Sequence, residues 1–364
     1  MKIKDVIEII EDFAPLHYAE DFDNVGLIVG NPEANLSGIL VSLDTLECTV
    51  EEAIEKNCNL IVSFHPIIFK GLTKIVGKSY VERAVVKAIK NDIHIYAIHT
   101  ALDNHVQGVS AKMSEVLGLL NTRVLLPKKG LIKKLTTYVP VQQAEQVRQA
   151  LFDAGAGKIG NYDHCSFNWQ GQGTYRSNEA SNPTLGTKGI DHQEAEICVQ
   201  VIFESHLEKT ILKALKEDHP YEEVAFEVVT LDNLHQHIGL GMVGDLEQEM
   251  SAPEFLDQLR DKFHLKVIRH SDLLNKKIKR VAVLGGSGSF AIENAMMAGA
   301  DIYVTADLKY HDFFRAENKI VLADIGHYES EQFTKNLLVE LLSKKITNFA
   351  IILSEKNTNP INYY

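Results

Sequence analysis

Four residues of this chain have the types and the placement to hold a metal ion: His65, Asp103, His327 and Glu331. Each lies just past a short apolar run, in NLIVSFHP (59–66), IHIYAIHTALDN (93–104) and KIVLADIGHYESEQF (319–333). Open α/β sheets gather their chemistry at such strand ends. The three runs are far apart in sequence, so only folding can assemble the four side chains. His327 and Glu331 are four residues apart at the start of a predicted helix, so they rise from one face, a turn apart. A mixed nitrogen and oxygen donor set suits zinc, iron or manganese and argues against calcium or a thiolate site. Taken singly, three of them have plainer readings. Glu331 would complement a helix dipole, Asp103 would serve a turn, and His65, biased toward extended backbone by Pro66, would bond a backbone carbonyl.

Three further residues are placed to move protons or orient a ligand. His99 precedes Asp103 by four residues and reads as a group behind the ligands. Asp307 and His311, in ADLKYHDFF, form another four-residue pair at a strand end; the plainer reading is a helix cap and a surface histidine. The glycine run VLGGSGSFA (283–291) offers a competing chemistry, since from Gly286 it fits G-x-G-x-x-A with Asp307 where a dinucleotide fold puts its ribose-binding acid. The same run could hold a phosphate on backbone N–H groups, or be no more than a tight strand-to-helix turn.

The elements that would position these residues alternate. An amphipathic helix (KIKDVIEIIEDFA) opens the chain, and the short apolar strands GILVSL, NLIVSF and DIHIYAIH then alternate with helices. RVAVL, DIYVT, KIVLADI and NFAIIL resume the rhythm in the last third. Strands apolar on both faces are expected of a parallel sheet covered by helices on either side. The fold class is therefore α/β, a mostly parallel sheet split in sequence by an insertion. Residues 129–232 read as that inserted domain: two successive βαβ halves, which suggest a ferredoxin-like α+β unit. The metal-binding α/β domain then comprises residues 1–128 and 233–364. A long polar loop is expected over 171–194, either mobile or part of an assembly contact.

At 364 residues the chain exceeds one ordinary domain. With 37 Lys and Arg against 49 Asp and Glu, its net charge of -12 opposes a nucleic-acid backbone as partner. Four cysteines without CxxC spacing, no signal-peptide pattern and no apolar run of membrane-spanning length lead to the expectation of a cytoplasmic protein with reduced thiols and no membrane association.

The chain resembles the GTP cyclohydrolase I type 2 homologue family, also called the NIF-three-like proteins. The resemblance is carried by EDFDNVGLIVG (20–30), the HP of SFHPIIFKGLTKI, HTALDN, TADLKYHDFF (305–314) and GHYESE (326–331), in the family's order. The stretch 129–232 resembles the PII-like, CutA-like domain of the family's longer members, most tellingly at HPYEEVAFEV (219–228). The resemblance implies two metal ions held by adjacent histidines before a proline, the aspartate of HTxLD, and the histidine and glutamate of GHxxxE. His65, Asp103, His327 and Glu331 map onto four of those positions, and Phe64 stands where the fifth, a histidine, is usual. One firmly held divalent ion is thus expected, with a second weak, differently ligated or absent. The resemblance also implies a homohexameric ring and, in some members, opening of the imidazole ring of GTP.

Two functions follow. One is a metal-dependent hydrolase acting on a nucleotide or other C–N substrate by metal-activated water, with His99, Asp307 or His311 moving protons. The other is a non-catalytic metal-binding, regulatory or scaffold protein that uses its PII-like domain.

Overall fold

The computed structural model describes residues 1–364 and divides them into two units. The first comprises Met1–Pro127 and Gln236–Tyr364; the second is Lys128–His235. The fold is mixed α/β with several sheets. No helix is long and apolar enough to cross a membrane.

The first unit contains two sheets where the sequence rhythm suggested one. In the five-stranded sheet, Gly26–Val29, His94–Ala97, Leu60–Ser63, Ile39–Ser42 and Ile351–Leu353 lie side by side. All neighbours are parallel except the first pair. The central strands are buried throughout because successive side chains enter opposite cores. Val41, Leu60 and Val62 face the helices Ile3–Phe13 and Thr334–Lys345, whereas Leu40 and Ile61 face Glu47–Glu55 and Tyr80–Lys90. The opening helix buries Ile3, Val6 and Ile10, a stripe at helical spacing. Each such side chain contributes about 1.5–3 kcal/mol.

The second sheet runs Arg269–His270, Val321–Asp324, Ile302–Ala306, Ile278–Ser287, Gly239–Met250 and Leu120–Pro127. Its three central strands are parallel and the rest pair antiparallel. Short apolar strands carry no label saying which sheet they join, so the division into two was not readable from their pattern. Pro127 and Gly239 are direct partners in antiparallel strands, so the chain leaves and re-enters this unit at one place.

In the second unit, the strands Phe167–Arg176, Asp191–Glu204, Ile132–Pro140 and Phe226–Leu231 form one antiparallel sheet in that order. The helices Ala144–Asp153 and Glu208–Asp218 close its apolar core. The first two strands make a long hairpin, so regular pairing reaches Arg176 and resumes at Asp191. The loop expected over 171–194 is thereby shortened. Gly171 and Gly173 are strand residues, and a Cβ at Gly173 would lie 2.2 Å from the Glu196 carboxylate.

Candidate metal centre

The carboxyl ends of parallel strands from both sheets of the first unit meet. His65 follows Leu60–Ser63, His99 and Asp103 lie on the short helix after His94–Ala97, and Asp44 follows Ile39–Ser42. From the other sheet, Asp307 follows Ile302–Ala306, while His327 and Glu331 occupy the helical turn after Val321–Asp324. The ring centroids of His65 and His327 are 5.5 Å apart, and those of His65 and His99 are 5.2 Å apart.

Each of the three imidazoles is held by a carboxylate through Nδ1. His65 pairs with Asp44 at 2.8 Å, His99 with Asp23 at 2.8 Å, and His327 with Asp307 at 2.7 Å. A carboxylate on one ring nitrogen fixes the tautomer and presents the other nitrogen to a metal. The held carboxylates are themselves anchored: Asp44 by Thr358, Asp23 by the backbone and hydroxyl of Thr100, and Asp307 by Ser287. His99 and Asp307 have positive φ, +27° and +56°, a backbone strain that concentrates at functional sites.

The Nε2 atoms of His65 and His327 each lie 3.2 Å from Oε2 of Glu331. Yet that buried oxygen accepts no hydrogen bond of acceptable alignment. Two nitrogens and one carboxylate oxygen thus converge at ion-pair distance without a well-aligned hydrogen bond, and their ligand atoms all fall within 4.8 Å. Desolvating a carboxylate without a partner is costly, so the arrangement fits a cation that all three donors share.

The charges of the cluster act on one another. Burial opposes the protonation of His65, but the carboxylates of Asp44 and Glu331 outweigh it and raise the imidazole to about 10. His327 is likewise raised to about 11 against burial, by Asp307 and Glu331. Its imidazole, helped by Ser287, holds Asp307 down to about 2. Asp23 falls to about 2 because His99 and Thr100 outweigh its burial. Asp103 moves the other way: burial, then the Glu331 carboxylate, push it well above the ordinary range. A carboxyl beside a second carboxylate is relieved by a cation.

His311 is not among the converging side chains. It lies on the exposed turn Tyr310–Ala316, against Tyr310 and Phe314. Phe64 is fully buried in the apolar core, its ring meeting His99 edge-on at 5.4 Å. The glycine run has a local explanation. A Cβ at Gly286 would lie 2.5 Å from Glu331 Oε1, so the strand passes the carboxylate closely only as glycine. Asp307 is engaged with His327 and Ser287, which leaves the dinucleotide reading without its acid. Asp44 and Asp23 were not singled out from the sequence. Asp23 lies inside the EDFDNVG segment, a signal that could have drawn attention to it.

The model of the family described as Duf34/NIF3 (NGG1p interacting factor 3) matches residues 1–360. This chain belongs to that family. It is 36% identical to the GTP cyclohydrolase 1 type 2 homolog of Bacillus subtilis, over 98% of this chain and 97% of that one. To the homolog of Staphylococcus epidermidis it is 34% identical, over 100% of both. Among solved structures, a Bacillus cereus protein related to NIF3 superposes with a TM-score of 0.82 at 36% identity, covering 100% of this chain and 99% of that one. A Staphylococcus aureus protein matches with a TM-score of 0.82 at 29% identity, with the same coverage. Family membership places the convergence of His65, His327 and Glu331 in a fold shared across the full chain.

Proposed function

We propose that this protein is a metal-dependent hydrolase acting on a nucleotide or another C–N substrate. The observation that carries the reading is the buried Oε2 of Glu331, faced by two Nε2 atoms and satisfied by neither. His65, His327 and Glu331 would hold a divalent ion such as zinc, iron or manganese, with the Asp103 carboxyl beside them. Bound there, the ion would supply Lewis acidity and make hydroxide available near neutral pH. His99, its Nδ1 fixed by Asp23, presents Nε2 to accept or return a proton, and is also the donor at hand for a second ion. Asp44 and Asp307 keep the ligand imidazoles oriented. Asp307 thereby acts through His327, and His311, outside the cluster, has no part in this reading.

Phe64 favours a second reading, a metal-binding regulatory or scaffold protein. A buried phenyl ring occupies the position where the family's adjacent histidine is usual. We read the second unit, with its antiparallel order and βαββαβ succession, as a ferredoxin-like, PII-like domain inserted between the halves of the first. Assembly of identical chains, a hexameric ring in the cytoplasm, belongs to both readings.

The test is turnover of GTP and a panel of C–N substrates by protein of measured metal content, beside Glu331→Ala. Turnover that rises with metal and vanishes in the variant supports the hydrolase. Stoichiometric metal without turnover of any substrate favours the second reading, and full metal retention by Glu331→Ala overturns the site.

A further inference from the structure

A cavity of about 850 Å³ lies within the second unit, against the hairpin Phe167–Arg176 and Asp191–Glu204. Its size is that of a small-molecule site, roughly 300–1,000 Å³. Tyr138, Trp169, Tyr175 and Tyr221 contribute aromatic surface, with the Tyr175 and Tyr221 rings 6.1 Å apart. Glu196 lines the same space although it is only 8% exposed. One of its oxygens, Oε1, accepts a hydrogen bond from the Tyr221 hydroxyl at 2.9 Å, while Oε2 lies against Gly173. Glycine at 173 lets the carboxylate pack closely on the strand, since a Cβ there would lie 2.2 Å from Oε2.

No free positive charge answers that carboxylate. The cationic side chain lining the cavity, Arg176, is closed into a two-point pair with Asp191, both bonds 2.7 Å. His192, whose ring lies tilted beside Tyr175 at 5.1 Å, pairs with Glu194 at 3.2 Å. Glu222 and Glu223 add further negative charge to the lining. A phosphate or carboxylate entering here would meet acids, whereas an ammonium or guanidinium group would find a largely buried carboxylate among aromatic rings.

We propose that this cavity binds a small organic cation with an aromatic or apolar body, its charge on Glu196 Oε2 and its body among Tyr138, Trp169, Tyr175 and Tyr221. The carboxylate supplies charge-assisted hydrogen bonding and the rings supply contact area with little entropy to lose. The site belongs to the second unit and stands independently of the hydrolase reading.

Trp169 is the chain's one tryptophan, so its fluorescence reports on the cavity without labelling. Full-length protein is titrated with tyramine, phenethylamine and agmatine, and with the neutral 4-ethylphenol, the anionic 4-hydroxyphenylacetate and ATP as contrasts. A saturable response to an amine is expected, at least about tenfold tighter than to its neutral analogue and weakened about tenfold by Glu196→Gln. That substitution preserves an acceptor for Tyr221. If the variant melts early, competition between tyramine and 4-ethylphenol on the unaltered protein carries the decision. Equal affinities for amine and neutral analogue, a tighter response to ATP or 4-hydroxyphenylacetate, or no saturable response to any amine at millimolar concentration would overturn the proposal.

Discussion

Thr358 donates its hydroxyl hydrogen bond to Asp44, although 314 residues separate them in the chain. Asp44 in turn holds Nδ1 of His65 at 2.8 Å, so Thr358 braces a candidate ligand through a shared carboxylate. Thr358→Val keeps the shape and removes the donor. Groups behind metal ligands are worth roughly 10–100-fold in affinity, and this one, at one remove, is expected to cost about tenfold. Competition with a chelator of known affinity measures it, and unchanged retention would show that Asp44 is fixed without Thr358.

Asp307→Asn should weaken metal binding about 10–100-fold, because the amide no longer draws a proton onto Nδ1 of His327. His311→Ala, four residues away, should leave binding unchanged, since that ring rests on Tyr310 and Phe314. Elemental analysis after dialysis of the two variants side by side distinguishes the roles. Equal loss in both would mean that the Tyr310–Ala316 turn belongs to the site.

The contrast between these two residues shows what the sequence could and could not disclose. Spacing put Asp307 and His311 on equal footing, and only the strained backbone at Asp307 and its pairing with His327 separates them. The i,i+4 pair His327 and Glu331 and the strand-end position of His65 were legible because they are local patterns. The carboxylates behind the rings were not, because Asp44 and Asp23 lie 21 and 76 residues from the histidines they hold. The alternation of strand and helix announced an α/β fold, but a strand such as Ile351–Leu353 gives no local sign that it pairs with Ile39–Ser42 across most of the chain.

Phe64→His places an imidazole where a phenyl ring now fills the core beside His65 and His99. Burying that polar ring without a partner should cost about 1–3 kcal/mol in metal-stripped protein. Added zinc or manganese should recover the loss and raise the number of ions retained after dialysis. Melting curves with and without metal, beside calorimetric titration, test the coupling. Two equally tight ions in the unaltered protein would show that Phe64 removes no ligand that matters.

Asp301 provides a pH dependence outside the proposed metal centre. Burial opposes its charge, but the backbone N–H groups of Arg280 and Lys279 and the Lys276 ammonium outweigh it and lower its pKa. A depressed folded-state pKa means stability present above the ordinary aspartate value of 3.8 and lost as pH falls through the lower, folded one. Asp301→Asn should therefore cost about 1–2 kcal/mol at neutral pH. The gap between the two proteins should narrow on acidification below the ordinary value. Denaturant melts across that range give the answer, and a constant gap would assign the loss to hydrogen bonding alone.

The last expectation concerns the join at Pro127 and Gly239, which face each other in antiparallel register. Removing Lys128–His235 leaves Gln236, His237 and Ile238 between those partners, and hairpin loops of about 2–5 residues are common. Both cores of the second sheet draw their buried residues from outside the deleted stretch, and the second unit keeps its own core. With two glycines added at the join, the shortened chain should melt cooperatively and retain metal at His65, His327 and Glu331. Circular dichroism with elemental analysis tests it. A chain that shows no cooperative transition at any temperature would mean that the strand pairing at Pro127 and Gly239 depends on the unit it encloses.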